Sequence, residues 1–109
     1  MFKFIPERII KGWPAHINVA MDDGRSKSFP VTLDLKMLPS SEYRALAARG
    51  DEMIFPEIVK GWSGIHDEAG TALPFTEDNL RHLTNHPGFA QAVMRAYLRA
   101  SSGEAARKN

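Results

Sequence analysis

The side chains of this sequence that could do chemistry are four histidines, one serine in a glycine-flanked turn and two acidic pairs, and none is spaced for it. His16, His66, His82 and His86 are scattered, and only the last two stand four residues apart, the separation that places two imidazoles on one helical face. A zinc site needs a third protein ligand, and no His-Glu-x-x-His pattern exists. A helix carrying His82 is also expected to stop at Asn85-His86-Pro87, between the two rings. Ser63 in Gly61-Trp62-Ser63-Gly64 lacks the Gly-x-Ser-x-Gly pattern and the strand–turn–helix setting of a nucleophile. Asp22-Asp23 and Asp67-Glu68 sit beside glycines in turns, with too few oxygen ligands for a tight calcium loop. With no cysteine there is no thiolate, disulfide or Cys-based zinc site, which suits a reducing cytoplasm. No phosphate-binding glycine loop occurs, so no catalytic residue, metal or cofactor is assigned and an enzyme is not expected.

The elements that would position any working surface follow from pattern and punctuation. At 109 residues the chain is about one domain, and its 43% hydrophobic and 25% charged residues are those of an ordinary globular fold. Fourteen Lys and Arg against thirteen Asp and Glu leave a net charge of +1, no field for steering toward nucleic acid or an anionic membrane. Lys3, Pro6, Glu7 and Arg8 break the apolar start before a signal-peptide core can form, and no stretch reaches membrane-spanning length, so a soluble, unexported protein is expected.

Ile17, Val19 and Met21 alternate with polar or small residues, Asp22-Asp23-Gly24 supplies a turn, and Phe29, Val31, Leu33 and Leu35 resume the alternation. This is a β-hairpin, and Pro30, which cannot donate a ladder bond, predicts a free edge on the second strand there. Ser40 as N-cap with Glu42 behind it predicts a helix near 40–49, and a shorter helical piece is expected near 52–60, with Pro56 in its first turn or kinking it and Gly61 ending it. Ile65 and Leu73, flanking the turn Asp67-Glu68-Ala69-Gly70, either pair as a small hairpin or belong to an ordered loop. Thr76 caps a helix over about 77–85; Pro87, with Asn85 or His86 as cap, opens another to about 101, its apolar stripe formed by Phe89, Ala92, Val93, Ala96, Tyr97 and Ala100. The expected fold is α+β: one domain over 1–103, an N-terminal antiparallel β-hairpin or small sheet packed against three or four short helices, residues 1–14 as an arm, and a disordered tail over 104–109.

Ile9-Ile10-Lys11-Gly12-Trp13 is echoed by Ile58-Val59-Lys60-Gly61-Trp62. Five residues are too few to imply duplicated units, and the echo reads as coincidence or as two similar chain corners. Trp62 and Phe75 are assigned to core or corner packing, as is Leu73, whereas Trp13, following no clear periodicity, is the expected exposed aromatic and interface anchor. Arg81, Arg95 and Arg99 raise the alternative of a small DNA-binding or regulatory protein using the last two helices. Against it, the second of these helices opens with Pro87, Gly88 and Phe89 rather than with base-reading side chains.

The run Val59-Lys60-Gly61-Trp62-Ser63-Gly64-Ile65, then Asp67-Glu68 with Gly70, Leu73-Pro74-Phe75-Thr76-Glu77, Leu80, Leu83, Pro87 and Tyr97, resembles the tail assembly chaperones of long-tailed phages and prophages. Leu38-Pro39 with Glu42, after a two-stranded start, is similar to the family's opening half, so the resemblance spans roughly 16–103 and is strongest over 59–97. It implies a small α+β protein of the host bacterial cytoplasm, absent from the mature virion, that covers the tape-measure protein until tail-tube subunits polymerise around it. It further implies self-association, and a longer frameshifted form that recruits the tail-tube protein, for which an A-rich run encoding Lys108-Asn109 would be the slippery site. No membrane partner is implied, and nucleic acid is not expected as one. Trp13, Gly61, Trp62, Leu73, Phe75 and Tyr97 are the positions assigned to partner binding or to the motif's own structure.

Overall fold

In the computed structural model, which describes residues 1–106, the chain forms a three-stranded antiparallel sheet with four helices on one face. The order is β1 (Arg8–Ala20), β2 (Ser26–Met37), α1 (Ser40–Ala47), α2 (Asp51–Ile58), β3 (Val59–Ser63), α3 (Glu77–Thr84) and α4 (Pro87–Ser102). The expected α+β class is therefore found. β2 lies in the middle, with β1 on one side and β3 on the other. Of the expected tail, Glu104 is tied to Arg99 by an ion pair at 3.3 Å, and residues 107–109, with the Lys108-Asn109 expectation, lie outside the described residues.

Alternation along β2 sets the two layers. Val31, Leu33 and Leu35 point into the core while Thr32, Asp34 and Lys36 line the opposite, half-exposed face. α4 covers β1 and β2, α2 covers β2 and β3, and α3 lies against both helices. Phe55, Phe89, Leu33, Leu35, Ile54, Ile58, Val59 and Val93 form the centre. The hairpin turn closes through Met21 N–H to the Arg25 carbonyl at 2.8 Å, with Asp23 held at φ 62°, a conformation that Asp tolerates better than most residues. Beyond the helices the hairpin projects, so Met21 and Phe29, in phase with the buried face, are exposed, and Lys27 lies over the Phe29 ring. Pro30 sits in this two-stranded section, since β3 pairs only from Thr32 onward, and the predicted free edge is there.

Several expectations are corrected. Residues 1–14 are not all arm: Arg8–Pro14 belong to β1, and Arg8 pairs with Met37. Ser40 is the first residue of α1 rather than its cap; Pro39 takes the cap position and has no side-chain acceptor to offer. The second helical piece ends at Ile58, Pro56 lies in its last turn rather than its first, and Gly61 does not terminate it but lies inside β3. Thr76 and His86 cap α3 and α4 as expected, accepting from Asn79 N–H and Phe89 N–H.

α1 is fixed by one aromatic pair. Tyr43 stacks on Tyr97 with ring centroids 4.6 Å apart and planes 6° off parallel, and the Tyr97 hydroxyl accepts from Leu38 N–H at 3.1 Å. Burial raises both phenol pKa values, the two rings' mutual charge adds to the effect at Tyr43, and the bond from Leu38 partly opposes it at Tyr97. The folded chain thus favours neutral phenols. Their contribution is complete below the unfolded value near pH ~10 and is lost as pH rises toward the raised folded values. Stability measured from pH 8 to 11 should fall at the alkaline end, and Tyr43→Phe should flatten that fall without altering stability at pH 7 by more than about 1 kcal/mol.

Candidate functional site

The repeated Lys-Gly-Trp tripeptides meet across β2. Trp13 on β1 and Trp62 on β3 are both register partners of Leu33, while Lys11-Gly12 and Lys60-Gly61 form a bulge on each side, both opposite the Asp34–Leu35 step. Gly12, at φ 65°, turns its N–H onto Asp34 Oδ1 at 2.8 Å, and Lys11 Nζ stands 3.8 Å from Oδ2. On the other side a Cβ at Gly61 would meet Asp34 Oδ2 at 2.5 Å, so the carboxylate has this place only because Gly61 lacks a side chain. The echo is thus two chain corners on either side of one carboxylate: the β1 copy binds it, and the β3 copy leaves it room. Trp13 is correspondingly not an exposed anchor on an arm: it is half-buried against the core.

Trp62 organises the loop that follows β3. Its indole N–H donates to the Leu73 carbonyl at 2.8 Å, and Leu73 N–H returns a bond to the Ile65 carbonyl at 2.9 Å. Beside these, His66 bridges to Ala72, so Ile65 and Leu73 do pair as a small hairpin. Phe75 packs edge-on against Trp62 at 4.8 Å, and Trp62 in turn meets Phe89 at 6.1 Å. Trp62, Leu73 and Phe75 are therefore brought together, Gly61 leaves room for the Asp34 carboxylate beside them, and Tyr97 stands apart at α1. Phe75 keeps 41% of its surface exposed, more than a corner residue needs.

Immediately after Phe75 and its capping neighbour Thr76 begins the groove between α2 and α3, a recess of about 310 Å³. Leu80 and Thr84 form its buried floor, Met53 and Pro56 its α2 wall, and Glu52, Glu77 and Arg81 its rim. Arg81 is already paired with Asp78 at 2.9 Å, which leaves the rim acidic in character. Sequence reading missed this groove. Its walls come from segments more than twenty residues apart, and the one local signal, exposed Met53 beside Pro56 on a helix, is weak.

A second recess lies between β1 and α4, lined by Trp13, His16, Arg95 and Arg99. Here Arg95 donates to the His16 carbonyl at 3.1 Å. The first turn of α4 is not free to read bases, because Gly88 and Phe89 are buried against β1 and the core. His86 is occupied as the α4 cap, and among the described residues no three His, Cys, Asp or Glu side chains are placed to hold a metal ion. No helix among them is long and apolar enough to cross a membrane.

Set against known protein families, curated proteins and solved structures, the chain matches none of them.

Proposed function

We propose that this protein is a tail assembly chaperone of a long-tailed phage or prophage, which shields the tape-measure protein in the host cytoplasm and releases it as the tail tube forms. The observation that carries the reading is the apolar, acid-rimmed groove between α2 and α3, with exposed Phe75 two residues ahead of its rim residue Glu77. An amphipathic client helix presents apolar side chains at i, i+3 and i+4, and a groove walled by Met53 and Pro56 over Leu80 takes such a row. Methionine suits a surface that must accept many successive client segments, because its thioether is flexible and polarisable. Support comes also from the motif run 59–77, which builds the Trp62–Phe75 corner and leads into α3, one wall of this groove. The longer frameshifted form, recruiting the tail-tube protein, completes the cycle, and free chaperone stays out of the virion.

Co-expression with the long helical product of the neighbouring gene is the test. Soluble client should rise with the protein present, and Met53→Glu, which puts a charge on an already exposed wall, should abolish the rise without unfolding the chain. Equal client yield with and without the wild-type protein would remove the chaperone role.

A further inference from the structure

The segment before β1 is the most exposed apolar stretch in the molecule. Phe2 and Phe4 are 88% and 77% exposed, Ile5 59%, and the segment belongs to no helix or strand. Bound in extended form, such a segment would turn Phe2 and Phe4 to one side and Lys3 to the other. A row of large apolar side chains left in water calls for a cover.

Charge is divided along the chain in a manner that indicates the cover. Residues 1–37 hold six basic and four acidic side chains, and residues 40–85 hold four basic and eight acidic ones. The apolar recess between α2 and α3 lies in the acidic half and carries Glu52 and Glu77 on its rim. The outer rim of β1, one place where an extended segment could add, is blunted at three successive points. Pro14 has no N–H, Arg95 occupies the His16 carbonyl, and Gly88 is packed so closely on the Asn18 carbonyl that a Cβ would stand 2.7 Å from it.

We infer that the arm Met1–Ile5 of one copy docks in the α2–α3 groove of a second copy, with Phe2 and Phe4 between Met53 and Pro56 and Lys3 facing Glu52 and Glu77. The inference rests on the reading of that groove as a peptide-binding surface, and it adds its regulation: the arm fills the groove until client displaces it. β1 packs on α4 and β2, whereas the groove belongs to the opposite flank of the helical layer, which suits an arm offered outward. The contact is heterologous, arm to groove, and closes into a dimer when made reciprocally. Lys3 and the rim carboxylates are exposed, so association weakens with salt.

Sedimentation of the full chain over a concentration series tests it. The wild type should associate reversibly. Phe2→Ser with Phe4→Ser, and separately Met53→Glu, should each weaken association by about tenfold or more, the equivalent of roughly 1.4 kcal/mol. Equimolar mixing of these two forms should restore a complex, since one retains the groove and the other the arm. Lys3→Glu and Glu77→Lys should each weaken association, and together recover it. A wild type that stays monomeric throughout, association indifferent to the arm, or a mixture that stays monomeric would each overturn the inference. The arm variant keeps its groove and should still raise client yield, so the two readings fail separately: arm-independent association ends this one, and client yield unmoved by any form ends only the reading it rests on.

Discussion

Replacing Phe89 by alanine should cost about 3–5 kcal/mol, the range for truncating a fully buried aromatic ring. The ring is 1% exposed and sits between Phe55, at 6.3 Å, and Trp62, at 6.1 Å, so it joins the helical core to the corner built on β3. Against a total stability of about 5–15 kcal/mol for a domain of this kind, that is roughly a fifth or more of the whole. The cap of α4 does not account for the loss, because His86 accepts from the backbone of residue 89 and that bond survives the substitution. Urea unfolding followed by tryptophan fluorescence measures the effect and reports the Trp62 corner at the same time. A loss below about 1 kcal/mol would mean that the site collapses onto the vacancy and that the ring is not the link described.

Gly88→Ala should destabilise although alanine is the better helix former by about 1 kcal/mol. A Cβ there would lie 2.7 Å from the Asn18 carbonyl oxygen, 3.1 Å from His86 Cε1 and 3.2 Å from Ile17 Cγ2. The first of these is backbone, and Asn18 is held in register opposite Ser28, so β1 cannot retreat cheaply and α4 must lift. Lifting α4 disturbs Phe89, Val93, Ala96 and Tyr97, which all descend from the same helix into the core. Overpacking of this kind costs about 1–3 kcal/mol, and each kcal/mol lowers the melting temperature by roughly 4–8 °C. Trimming Ile17 to Ala should relieve only that side chain's share, so a double variant restored to wild-type stability would show that the backbone approach is not the cause. Gly88 carried no sequence signal beyond its place after Pro87, since a glycine in a first helical turn looks the same whether or not a strand lies against it.

How much was legible follows the same division between local pattern and long-range approach. The hairpin was readable because Val31, Leu33 and Leu35 alternate without interruption and Asp22-Asp23-Gly24 closes the turn. α3 and α4 were readable from Thr76, Pro87 and the stripe through Phe89 and Tyr97. β3 was not: it is five residues long, follows Ile58 with no turn between, and its bulge at Lys60-Gly61 destroys the period-two signal. The start of β1 was hidden for the same reason, the bulge at Lys11-Gly12 putting Ile10 and Trp13 out of step. The repeated tripeptide was visible, but its meaning required Asp34, which lies in the strand between its two occurrences and matches neither. The groove was illegible because Met53 and Leu80 acquire their relation only when α2 and α3 pack.

With its rim plugged by a proline, an arginine and a closely seated helix, β1 presents no template on which another sheet could grow. Copies held close together therefore have no easy route into fibrils through this rim.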